Sequence, residues 1–243
     1  METNYEEKII KIFLKEEEIG FDSYNYRKNK FFEMTSKEFL NFSQTDLKNN
    51  SKKGTINSIS NTKRAIDLQV SSLLIILGYY TKSKKEKWSF PKKLEFLNSL
   101  GIITTTMMKN CNATRNKLEH EFKIPTKKEA EEFQEIAELF IDSTERILRI
   151  KDISFFFDTY KKRIFPKSKK TEHLTGISLT YNNEQRLFTF IPEWSKDTII
   201  DIKTKKTVEY TPNKNFNHEY FIKENHNLFK KLLKRYVELI KKN

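Results

Sequence analysis

Thr114-Arg115-Asn116-Lys117-Leu118-Glu119-His120-Glu121-Phe122 is the stretch on which the reading of this chain turns. Together with the residues just before it, the stretch sets Met107, Cys111, Thr114, Leu118 and Phe122 along one helical stripe. At about 100° per residue, Asn116 and His120 fall roughly 160° from that stripe and one turn from each other. Arg115 lies about 60° away, at the border of the packed face. A histidine so placed is not core filling; it faces solvent or an interface. Cys111, on the stripe, reads as a small core residue. On the residues alone, two readings of the polar face stand open. Arg115 and Glu119 form an ordinary surface pair beside a plain exposed His120, or Arg115, Asn116 and His120 act together.

The flanks of this stretch read as further helices. Ile9, Ile10, Phe13 and Leu14 recur at helical spacing within residues 4–19, whereas residues 20–34 read as a loop with a short element. Thr35-Ser36-Lys37-Glu38 can cap a helix running toward Leu47. Gly54 interrupts a polar stretch, and Ile56, Ile59, Ala65, Ile66, Val70, Leu73 and Leu77 then trace one long buried helix stopped near Gly78. Lys82, Lys84, Lys85 and Lys87 belong to a basic loop. Ser89-Phe90-Pro91 opens a short helix that Gly101 ends. Pro125 closes the motif helix, expected over 104–122. Thr126-Lys127-Lys128-Glu129 is a capping box opening a helix with Ala130, Phe133, Ala137, Phe140, Thr144 and Ile147 on one face.

Near residue 151 the texture changes. Residues 177–181 and 186–191 are β-rich around Asn182-Asn183-Glu184-Gln185, a hairpin signal, and 198–202 with 207–210 suggest a second hairpin. A final helix is expected from about His218 to Lys242, with Phe221, Leu228, Leu232 and Leu239 inward. The expected fold is therefore α+β: an all-helical part over 1–150 and a smaller antiparallel β-hairpin part over 151–243, closed by a helix. Of the chain's 46 Lys+Arg and 33 Asp+Glu, 26 and 22 lie in residues 1–150, leaving 20 and 11 in residues 151–243. The second part is the more basic, +9 against +4, and the net charge of +13 favours a polyanionic partner. A codon bias toward Lys, Asn and Ile gives the same charge without one.

One cysteine, Cys111, excludes an intramolecular disulfide framework and a cysteine metal cluster. His173, His218 and His226 are too scattered to suggest a metal site and read as surface residues. The apolar run from Leu73 to Tyr80 is far short of a membrane span, and the polar, acidic N-terminus lacks a signal-peptide core. A cytoplasmic protein without membrane attachment is expected.

The span from about Thr35 to Ile150 resembles a HEPN domain, a four- or five-helix bundle of many toxin and defence ribonucleases. Arg115-Asn116-x-x-x-His120 matches that family's Arg-x4–6-His motif, with its polar residue directly after Arg. Asn57-x-x-Ser60-x-x-Lys63-Arg64-Ala65-Ile66 is similar to the family's second long helix. Residues 151–243 lie outside the resemblance.

The resemblance implies a metal-independent endoribonuclease with Arg115, Asn116 and His120 as its catalytic residues and no cofactor. The RNA 2′-hydroxyl would attack the adjacent phosphate, leaving 2′,3′-cyclic phosphate and 5′-hydroxyl ends. It also implies a homodimer joined through the motif helix, and a toxin or antiviral-defence role with an antitoxin or defence partner protein. Lys82, Lys84 and Lys85, with Lys161, Lys162 and Arg163, are the expected RNA-binding cations; the bland alternative for both runs is a solvated surface. The rival functions are a HEPN module that binds RNA without cutting it, and a protein-interaction subunit.

Overall fold

Thr35 opens the first helix of the helical unit, after the helical residues 10–11 and 13–15 nearer the N-terminus. In the computed structural model the described residues are 10–11, 13–15, 19–26, 30–104, 106, 109, 113, 125–158, 174–194, 199–200, 207–208 and 220–242. The Thr35 hydroxyl accepts from the Glu38 backbone N–H, and the Glu38 carboxylate accepts from the Thr35 N–H at 2.6 Å, a complete capping box. It starts α1 (Ser36–Lys48). Ser51 caps α2 (Lys52–Ile76), and Gly78, at φ 74°, ends that run as expected. Gly54 is not an interruption. It is the third residue of α2, and a Cβ there would run into the Asp46 carbonyl oxygen.

The basic loop expected over 82–87 is instead a short helix, α3 (Tyr80–Lys85). Ser89 caps α4 (Phe90–Ser99), with Pro91 in its first turn and Gly101 at φ 73° beyond its end. The capping box at Thr126 and Glu129 is present and opens α5 (Lys127–Arg149). The six residues expected on its inner face are all buried, as is Ile141. Along α2, Ile59, Ala65, Ile66, Val70, Leu73 and Leu77 are buried, while Ile56 is 36% exposed and not part of the core.

Two contacts fix how α2 and α5 run. Gln134 donates to Ser58 and Gln69 donates to Thr144, with sequence separations of 76 and 75. Nearly equal separations mean that the two helices advance together, side by side and parallel. Ser43 meets both Ser58 and Thr62, and Asp46 meets Asn61, so α1 runs against α2. Ser43, Ser58, Thr62 and Gln134 form one hydroxyl and amide network between α1, α2 and α5, which satisfies polar groups buried among apolar ones.

The rest is β structure. Residues 20–26, within the stretch expected as a loop with a short element, are β1 (Gly20–Tyr26), a segment whose Phe and Tyr content suits a strand. Further strands are β2 (Ile150–Asp158), β3 (Leu174–Asn182), β4 (Leu187–Trp194), β5 (Ile199–Ile200), β6 (Thr207–Val208) and β7 (Tyr220–Lys223). They make a five-stranded sheet in the order β1-β2-β3-β4-β7 and a separate β5-β6 pair. Both expected hairpins are present as β3–β4 and β5–β6. β2 and β7 pair antiparallel with β3 and β4, giving a cross-strand row Phe155–Leu179–Phe190. Ile177, Leu179, Phe188, Phe190 and Ile222 are fully buried, and Phe13 meets Phe190 edge-on at 6.0 Å. The last helix, α6 (Phe229–Lys242), begins eleven residues later than expected, because Phe221 lies on a strand.

The protein is thus helix-rich α+β. Its units are not the two halves expected. One comprises Met1–Asn25 with Asp152–Leu232, the other Tyr26–Lys151 with Leu233–Asn243. One division falls between Lys151 and Asp152, and each chain end groups with the distant part of the sequence. The sheet unit contains the β hairpins, and the division between Leu232 and Leu233 falls within α6.

Candidate functional site

Arg115, Asn116 and His120 lie outside the described residues, as do Lys161, Lys162 and Arg163. Of the motif helix expected over 104–122, Thr106, Lys109 and Ala113 are described, and all three are helical and exposed. The helical unit sets the ends of that segment. Ile102 and Ile103 are buried just before it and Pro125 is buried just after it.

Lys82, Lys84 and Lys85 are described, and the structure gathers them at one corner with Lys87 and Lys92. Residues 80–93 hold six lysines and one glutamate. The corner is built on an aromatic cluster: Tyr79 packs on Phe96 at 4.5 Å, and Trp88 lies 5.4 Å from Phe96. Ser83 is buried beneath α3, where its hydroxyl donates to the Tyr80 carbonyl at 2.7 Å. The Trp88 N–H donates to the Ser83 carbonyl at 2.8 Å, which folds the chain back from α3 toward α4. Lys87 turns that corner at φ 50°, a left-handed conformation unusual for a side-chain-bearing residue.

Three ammonium groups sit over aromatic faces: Lys82 over Tyr79 at 5.6 Å, Lys84 over Tyr80 at 5.6 Å and Lys92 over Trp88 at 4.9 Å. The Glu86 carboxylate accepts from the Trp88 indole N–H at 2.7 Å and lies 3.9 Å from Lys92. One carboxylate among six lysines leaves a strongly positive surface, and the aromatic packing below keeps those charges together. The sequence showed the lysine run but not its aromatic base, because Tyr79, Trp88 and Phe96 meet only when α3 folds back against α4.

His226 is the described histidine. Its Nδ1 accepts from the Leu228 N–H at 3.2 Å in the turn before α6, a local structural role. Among the described residues no group of three His, Cys, Asp or Glu side chains could hold a metal ion. No helix of the described residues is long and apolar enough to cross a membrane.

The fold and the basic corner together define an α+β protein with a polyanion-compatible surface on its helical unit. Comparison with protein-family models, with curated proteins and with solved structures gave no match.

Proposed function

We propose that this chain is a metal-independent endoribonuclease of the HEPN type, acting as a homodimer. The observation that carries the reading is the Arg115-Asn116-x-x-x-His120 spacing, with Asn116 and His120 opposite the apolar stripe of the sequence and Arg115 at its border. The described helices are compatible with that assignment. Because α2 and α5 run parallel, the chain between Leu77 and Lys127 has to return along the length of α2, about 37 Å for its 25 residues. A motif helix over 104–122, about 28 Å long at 1.5 Å per residue, suits most of that return.

In this reading the His120 imidazole takes the proton from the 2′-hydroxyl or returns one to the leaving 5′-oxygen. Arg115 keeps its charge at every relevant pH and forks onto the phosphate oxygens as negative charge builds there. Asn116, one turn before His120, orients the imidazole or the phosphate. The phosphodiester is exchanged for a 2′,3′-cyclic phosphate, and the 5′-oxygen leaves as a hydroxyl. One His and one Arg make a small catalytic set, and pairing two motif helices across a two-fold axis doubles it.

Lys82, Lys84, Lys85, Lys161, Lys162 and Arg163 supply phosphate contacts in this proposal. The toxin or defence role, with an antitoxin or defence partner protein, rests on the family resemblance alone. The cytoplasm is the proposed site of action, on the composition read from the sequence. Purified protein incubated with total RNA in EDTA, followed by end mapping, tests the reaction. Intact RNA would leave the RNA-binding or protein-interaction module as the better reading.

A further inference from the structure

From the α1–α2 groove, we infer a second nucleotide-binding site, one that takes an unpaired base together with its phosphate. The groove is open, has a volume of about 490 Å³ and is lined by α1 and α2 residues including Phe42, Asp46, Asn57, Ser60, Asn61 and Arg64. That volume falls within the roughly 300–1,000 Å³ typical of small-ligand sites.

Phe42 is 51% exposed, and its ring is braced edge-to-face against Phe39 at 6.3 Å. A braced, half-exposed ring is a platform on which a planar base can stack. Across the groove, Asn57, Ser60, Asn61 and Arg64 stand at helical spacing on one face of α2. The Asp46 carboxylate accepts from the Asn61 amide at 2.8 Å, and the Asn61 carbonyl accepts from the Arg64 guanidinium at 3.0 Å. This relay holds Arg64 in place through an amide oxygen, so its charge is not neutralised by the contact. Four of its five N–H donors remain for a phosphate.

Among the described residues, the Asn57 amide and Ser60 hydroxyl have no recorded hydrogen bond, and both line the groove between ring and cation. Amide and hydroxyl groups at that point can meet the edges of a base or a ribose hydroxyl. The polar lining and the chain's charge of +13 favour a nucleotide over an apolar protein segment. The inference rests on the ribonuclease reading only for its ligand's natural source, a single RNA strand rather than a free nucleotide.

Binding of the full chain to a labelled 2′-O-methyl oligouridylate tests the site separately from catalysis, since this strand has no 2′-hydroxyl to attack. Phe42→Ala should raise Kd about 5- to 100-fold, the usual alanine effect at one stacked base, with an unchanged salt slope. Arg64→Ala should weaken binding and lower the salt slope by about 0.7, one single-strand phosphate contact. Both side chains are exposed, and unchanged melting curves will show that the variants fold. Uridine monophosphate as competitor separates the sources. Displacement by the oligomer alone assigns an RNA strand, while equal displacement per nucleotide assigns a free nucleotide, and either result supports the site. Wild-type affinity in both variants would overturn it, as would a Phe42→Ala change in oligomer mass with RNA binding intact. If ordinary RNA stays uncut while both variants lose affinity, the groove stands and the ribonuclease reading falls.

Discussion

Gln69 on α2 donates its side-chain amide to the Thr144 hydroxyl on α5 at 2.7 Å, with both residues buried inside the helical unit. The same Gln69 nitrogen reaches the Ile141 carbonyl at 3.3 Å, while Thr144 donates to the Phe140 carbonyl at 2.7 Å. This pair fixes the level of α5 along α2. Thr144→Val keeps the shape and removes the acceptor, so it should cost about 1–3 kcal/mol by stranding part of a buried amide. Urea denaturation with an unchanged m-value checks it. A midpoint equal to wild type would mean that the pair contributes nothing to register or stability.

Gly54→Ala should be destabilising even though alanine is the better helix former. The added methyl has to displace the end of α1, where the Asp46 carbonyl occupies its space. Overpacking of this kind costs typically about 1–3 kcal/mol. Thermal melting reads the loss, and a raised Tm would show that the two helix ends are not held this close.

The α1 capping box should give the protein a distinct acid response. The Glu38 carboxyl is held at about 2 against its ordinary 4.5, chiefly by the Thr35 hydroxyl, then by Lys30 and the Thr35 N–H. With the folded value below the unfolded one, the stabilisation is complete above about 4.5 and disappears as pH falls toward 2. Glu38→Gln should therefore lower Tm at pH 7 and flatten its fall below pH 4.5. Parallel Tm–pH curves for the two proteins would count against the capping box as the origin.

For the proposed reaction, His120→Ala and Arg115→Ala should each abolish RNA cleavage, and EDTA should leave the wild type active. Arg115→Ala carries the larger folding risk because it borders the apolar stripe. Strict dependence on Mg²⁺ or Mn²⁺ would point to carboxylate chemistry instead. A mass near the 29.2 kDa monomer by light scattering would contradict the composite cleft.

At the basic corner, Lys84→Ala with Lys85→Ala should weaken binding to RNA of any sequence and reduce the salt slope by up to about two. Stability should stay within about 0.5 kcal/mol, since both side chains are exposed. An unchanged slope would make these lysines a solubility feature.

Local signals in the sequence were enough to place most helices. Thr35 with Glu38 and Thr126 with Glu129 are complete caps within four residues, and the α5 stripe from Ala130 to Ile147 repeats at 3.6 residues over nearly five turns. The β3–β4 hairpin was legible for the same reason, with its turn and alternation in one short stretch. Short elements defeated the reading. In residues 20–26 and 220–223 a strand depends on hydrogen bonds from a neighbouring strand, which no local pattern records. Lys82–Lys85 has loop-like charge, but burial of Ser83 and the aromatic packing around it stabilise a helical turn there.

By itself the sequence determined the helical caps, the amphipathic stripes, the hairpin turns and the Arg115-Asn116-x-x-x-His120 spacing, because each depends on residues within a few turns of one another. Only the tertiary structure decided that α2 and α5 run parallel, that residues 1–25 join the sheet unit, and that Phe42 and Arg64 share a groove. Those relationships join residues 22 to more than 100 positions apart. Their cause is the burial of apolar faces and the pairing of buried polar groups across the core, which chain order alone does not encode.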